Sequence, residues 1–293
     1  MEGEHIKGSP FTVTVKLPVE KLGTPIKTIT GVSGPWGVAV NQRGEIIVAE
    51  STAHCISIFS PTGEKLQSFS SRGSGPGQFN EPTGVAVDGN SNILVMNSCC
   101  IQKFTSKGKF ITKVGTYGNG PLQFLNAFNI SIHPSDKKIF AVDRPNHRIQ
   151  ILNPDLTFYS SFGSHGSGNG QFTYPWDVAF DSAGNVYVSD SNNHCIQVFT
   201  AEGQFLKQFG KKGSGRGELN WPSSITIDSD NMVYVTENIN HRVSIFTTDG
   251  QFLRSFGTMG TGQGQFNEPC GITIDKRGLI YVSDHNNARL QLF

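Results

Sequence analysis

The chain has no long apolar run, no excess charge of one sign and no paired cysteines, and each lack removes a class of function. No stretch approaches the roughly 20 apolar residues of a membrane span, so attachment through the bilayer is not expected. Met1-Glu-Gly-Glu-His5 is polar and acidic where a secretory leader would be apolar. Lys and Arg number 24 against 23 Asp and Glu, so no overall field marks a bulk nucleic-acid or membrane binder. The five cysteines are odd in number and Cys99 adjoins Cys100, which suits reduced thiols in the cytoplasm better than a disulfide framework. Glycine-rich stretches such as Gly73 to Gly77 are followed by no Gly-Lys-Ser/Thr, so they read as connectors rather than phosphate loops.

What the chain does contain is repetition. Pro35, Pro82, Ala127, Pro175, Pro222 and Pro269 each open the same word, at steps of 47, 45, 48, 47 and 47 residues. The word is a Val/Ile-rich strand, a second strand ending in an acid, an Asn-His-Arg-like corner and a third strand. A fourth strand precedes the next anchor. In the fourth copy the alternation predicts strands over 177–181, 185–190, 195–200 and 204–209. Units of this length cannot bury their own apolar face and must stack on neighbours. Four strands per unit describe the blades of a β-propeller, an all-β fold.

The ends fix the blade count. The chain stops at Phe293, where the sixth copy has completed its third strand, and the run from Pro25 to Thr30 supplies a β-prone candidate for the missing fourth. Six blades in one ring, closed by this N-terminal strand, remove the open sheet edge. The propeller is expected over 18–293.

The Gly-Gln-Phe triplets at 77–79, 170–172 and 264–266, the strand ending in Asp and the Asn-His-Arg-Ile-like corner together resemble the NHL repeat, over nearly the whole chain. The first blade departs from the pattern, with a short lead from Gly31 to Pro35 and no Gly-Gln-Phe. Gly3 to Val15 looks like the last strands of a filamin-type immunoglobulin domain, which places a domain tail or linker at 1–17. Filamin followed by NHL is the arrangement of one branch of the tripartite-motif (TRIM) ubiquitin ligases. The resemblance implies a C-terminal targeting part that binds protein substrates or RNA, with oligomerisation through upstream regions. The RING and B-box zinc ligands of such ligases have no counterpart in this sequence.

Propeller topology puts the loops from strand four to strand one on the same face as the corners between strands two and three. The residue after each anchor stands at the channel mouth, which singles out Trp36, Phe128 and Trp176 as aromatic platforms. The corners contribute His147, His241, Arg148, Arg242 and Arg289 as candidate ligand contacts. Stacked rings ringed by guanidinium groups suit splayed bases and phosphates. The same residues suit a peptide or domain. The alternative is architectural: an acid in almost every blade (Glu50, Asp143, Asp190, Glu237, Asp284) can bind its own corner, and the Trp pair can plug the ring. A third reading is a metal-dependent hydrolase with calcium in the channel. It is disfavoured because the inner strands begin with Gly37, Gly84, Asn129, Asp177, Ser224 and Gly271, a set with a single acid. No metal, cofactor or catalytic centre is expected.

Overall fold

A computed structural model describes residues 22–293. The filamin-like stretch at 1–17 lies outside the described residues. Six four-stranded antiparallel sheets follow one another around a central channel. Blade four comprises Pro175–Phe180, Val186–Asp190, Cys195–Phe199 and Phe205–Phe209, within two residues of the predicted bounds. The first strand starts early because Pro175 pairs with Asp190 across an irregularity in the ladder. Blade two is short on its inner side, where Val85–Val87 is the whole first strand.

The ring closes as the chain ends predict. Lys27–Ile29 runs antiparallel to Arg289–Leu292, with Lys27 opposite Leu292, Thr28 opposite Gln291 and Ile29 opposite Leu290. Blade six therefore takes its outermost strand from the other end of the chain.

Period-2 alternation directs each sheet's two faces at its two neighbours, so the apolar core is divided rather than central. Six clusters fill the six gaps between blades. The closing gap holds Ile29, Val32, Val48, Phe59, Tyr281 and Leu292. The Phe of each Gly-Gln-Phe triplet is fully buried in such a gap, as Phe79, Phe172 and Phe266, and Leu219 fills the same slot in blade five's loop. On the face away from the corners, tight turns end the inner strands. In blade four the Asp181 carboxylate accepts the N–H groups of Ala183 and Asn185. Gly184 there adopts φ +86°, a conformation in which a Cβ is strained.

The closing strand should carry stability through its inward side chain alone. Ile29→Asp places an unpaired carboxylate in the closing gap and is expected to cost several kcal/mol of unfolding free energy. Ile26→Asp, on the exposed side of the same run, is expected to stay within about 0.5 kcal/mol. Chemical denaturation of the two variants checks the contrast.

Candidate functional site at the channel mouth

At the end of each second strand a buried group ties the corner to the loop arriving from the previous blade. In blade three Asp143 is fully buried, and its Oδ2 accepts Arg148 Nε at 2.8 Å, Asn146 Nδ2 at 2.9 Å and Gln150 Nε2 at 3.2 Å. In blade five Glu237 accepts Arg242 Nε at 2.6 Å, Ser244 Oγ at 2.5 Å and the backbone N–H of Asn220 at 3.0 Å. In blade six Asp284 accepts Arg289 Nε at 2.6 Å and the N–H of Asn267 at 2.7 Å. The remaining guanidinium N–H groups donate to loop carbonyls, such as Gly120 and Gln123 for Arg148 and Gly262 and Gln265 for Arg289.

Arg148, Arg242 and Arg289, read from sequence as candidate ligand contacts, are thus held in the scaffold with side chains only 11–16 % exposed. A guanidinium already paired to a buried carboxylate and to carbonyls has little left to offer a phosphate. The acids take the architectural role that was the alternative reading.

The histidines have an inter-blade task. His147 Nδ1 accepts the N–H of Tyr174 at 3.2 Å, and His241 Nδ1 accepts that of Glu268 at 3.1 Å. His54 and His194 do the same for Glu81 and Trp221. Each of these donors sits at positive φ directly before the anchor proline, a backbone state disfavoured on both counts, and the neighbouring blade's imidazole secures it. Burial, and then the facing His165 ring, hold His147 below the usual imidazole range. An Nδ1 acceptor must be unprotonated, so the latch and the lowered pKa agree.

The aromatic residues do converge. Trp36 stacks on Trp176 with centroids 5.7 Å apart and planes 11° apart, and Phe128 meets Trp176 edge-on at 4.8 Å. They close the mouth rather than lie open, with Trp176 6 % and Phe128 7 % exposed. Over them lies Arg144, which the sequence reading did not single out. Its guanidinium carbon stands 4.5 Å from the Phe128 centroid, 4.7 Å from Trp176 and 5.1 Å from Tyr174. Arg144 follows the corner acid directly. In four other blades that position holds a short residue, Ser51, Ser98, Ser191 or Asn238, as when Ser191 donates to the Pro222 carbonyl of the next blade, and in blade six His285 faces the Pro35 carbonyl at 3.3 Å. A long cation among mostly short partners was the available signal. Tyr174, 39 % exposed, forms the outer wall of this patch, beside the His147–His165 pair 4.4 Å apart.

Below the plug the channel is a cavity of about 250 Å³ that opens on the opposite face. Asp177 stands at its inner end, where Ser224 Oγ and the N–H groups of Ile225 and Val178 donate to it. Burial nonetheless pushes this carboxyl up to about 7. Among the described residues no three His, Cys, Asp or Glu side chains gather as metal ligands, and no helix is long and apolar enough to cross a membrane.

Comparison with known proteins agrees with this architecture. The NHL repeat family matches residues 33–59 and 172–199, and a 6-bladed beta-propeller family matches 97–163 and 228–292. Protein brain tumor of Drosophila melanogaster is 32 % identical over 115 residues, covering 38 % of this chain and 11 % of that protein. E3 ubiquitin-protein ligase TRIM71 of Rattus norvegicus is 38 % identical over 69 residues, covering 20 % of this chain and 8 % of the ligase. The matched region is thus a small part of these longer relatives. A catalytically inactive virginiamycin B lyase from Staphylococcus aureus superposes with TM-score 0.65 at 16 % identity, over 91 % of this chain and 84 % of the lyase, a likeness of fold. The chain is a six-bladed β-propeller that carries NHL repeats, and its matched segments are similar to parts of protein brain tumor and TRIM71.

Two substitutions test the electrostatics. Blade four has Cys195 where Arg148, Arg242 and Arg289 stand, and burial lifts its uncompensated Asp190 to about 6. A raised carboxyl binds its proton more tightly folded than unfolded, so this site's contribution falls as pH rises from about 4 through 6. Cys195→Arg restores the missing cation and is expected to stabilise the chain by about 1–3 kcal/mol at pH 7 and by less near pH 4. Asp177, also raised by burial, likewise loses its contribution as pH rises from about 4 through 7. Asp177→Asn should flatten that slope, giving up one hydrogen bond but ending the cost of ionising a buried acid. Thermal unfolding across pH reads both.

Proposed function

We propose that this propeller is a non-catalytic recognition module that binds a protein partner through its loop face, centred on the blade three–four patch. On this reading it is the targeting part of a longer cytoplasmic chain of the ubiquitin-ligase type. The filamin-like tail at 1–17 would precede the propeller at 18–293, and upstream regions would supply catalysis and oligomerisation. The carrying observation is the break in symmetry. The corner arginines of blades three, five and six are paired within their own blades, whereas Arg144 and Tyr174 leave a cation and an aromatic wall at the mouth. Exposed, rigid aromatic and Arg side chains at the centre of a face are the usual anchors of protein interfaces.

The part Trp36, Phe128 and Trp176 play is then to build the floor of the site. His147 fixes the Tyr174 backbone, and His241, Arg148, Arg242 and Arg289 keep the rim in shape. An RNA reading has one observation of its own: Arg72, Lys211, Lys212 and Arg216 are exposed on the strand-four-to-one loops of the same face. Lys211 is partly offset by Glu218 at 3.4 Å.

A photo-crosslinking side chain at position 174, compared with one at Lys107 on the opposite face, tests the reading in cells. The expected result is several-fold more adduct at 174, sensitive to protease and resistant to ribonuclease. Equal yield from both faces would overturn it, and ribonuclease-sensitive adducts would move it to RNA. Arg242→Ala should behave differently from any contact variant. It strands the buried Glu237 carboxylate and should cost about 3–5 kcal/mol in stability.

A further inference from the structure

The three guanidinium groups of the Arg-bearing corners already face carboxylates of their own blades at 2.6–2.8 Å. Arg144 forms no ion pair among the described residues, and its Nε is buried without an acceptor. The indole N–H groups of Trp36 and Trp176 in the same cluster are also buried without acceptors. Three unsatisfied donors and one formal positive charge thus meet at the mouth, and the nearby Asp143 does not offset them because its Oδ2 is taken by Arg148, Asn146 and Gln150. Unsatisfied buried donors are uncommon and call for an explanation.

The geometry points to a single-carboxylate pocket: Arg144, backed by Phe128 and Trp176 and walled by Tyr174, takes an Asp or Glu side chain of a protein segment, with an apolar neighbour of that residue packing on Tyr174. This assignment rests on the protein-recognition reading above and names the chemistry the partner must present. A guanidinium whose faces lie against aromatics keeps its N–H edge for an anion, and a carboxylate matches that edge with two parallel N–H···O bonds. A nucleic-acid strand fits less well. Bases need open ring faces, and Trp176 already carries Trp36 stacked on it and Arg144 over it. A phosphate backbone needs several free cations along its path; the corner arginines are paired, and the exposed Arg72, Lys211, Lys212 and Arg216 stand on the loops between blades one and two and between blades four and five.

Selection of a random peptide display library on the whole chain, beside a random RNA pool, tests the assignment. The enriched peptides should carry Asp or Glu next to an apolar residue. In a synthetic copy of one such peptide, Glu→Gln should weaken binding about tenfold or more, and so should R144Q in the chain. The two changes together should cost no more than either alone, the mark of a direct pair. R144K should recover part of the loss. The Arg144 side chain makes no hydrogen bond to the scaffold among the described residues, so R144Q is expected to melt with the parent, which a thermal scan confirms. Enriched peptides without acids would overturn the carboxylate assignment. So would an R144Q chain that binds peptide normally while a Tyr174→Ala chain does not, though the recognition face would then stand. Enrichment of RNA held by Arg144 would also overturn it. No enrichment from either pool by a folded chain would sink the recognition reading as well.

Discussion

The structure depends on a buried carboxylate at the end of nearly every second strand. An ion in that position would be costly by itself, because burial removes it from water. The repeat solves the problem with donors from two places: its own corner and third strand, and the loop entering from the previous blade. The solution is adjusted for reach. Where the acid is Asp, as at Asp143, Asp190 and Asp284, the residue seven positions on is the long Gln150, Gln197 or Gln291. Where it is the longer Glu, as at Glu50 and Glu237, that position is the short Ser57 or Ser244. Blade two has lost both charges together, with Asn97 in place of the acid and Cys100 in place of the Arg. Blades one and four keep the acid but hold Cys55 and Cys195 in the Arg position, and there Glu50 pairs with Lys65 while Asp190 rests on hydrogen bonds from Thr173, Asn193 and Gln197.

This explains why the scaffold was more legible in the sequence than the site. Period, strand number and terminal closure all follow from alternation and spacing, and Lys27–Ile29 lies within the run expected to close the ring. The corner arginines could not be read as well. Sequence shows a cation on a corner, but not that an acid five residues upstream in the same blade already accepts its Nε. The Asp–Gln and Glu–Ser exchange was present in the sequence and would have shown that the acids are buried and their partners chosen by length. Arg144 was legible only as a departure. It breaks a position that is Ser51, Ser98, Ser191 or Asn238 in four other blades, and its contact with Tyr174 and Trp176 crosses a blade boundary that no local pattern reports.

The two ends of the channel are chemically unlike for the same reason. Away from the corners, Asp88, Asp181, Asp228 and Asp275 each cap a tight turn by accepting N–H groups two and four residues on. Those acids are spread over a face of short turns with little freedom to diverge. On the corner face the acids at the strand ends are buried under the loops, and the loops present Arg144, Arg72, Lys212 and Tyr174 to solvent beside the exposed Glu81.

A molecule with a net charge of +1 therefore presents different character at its two ends, although composition alone suggests no field. The repeat makes this possible by burying its negative groups on the side where the loops are long enough to vary. The recurring architecture of the corner and the departure at Arg144 are thus two results of one arrangement. A rigid ring whose corner arginines are paired within the scaffold leaves Arg144 as the guanidinium without an acceptor for its Nε.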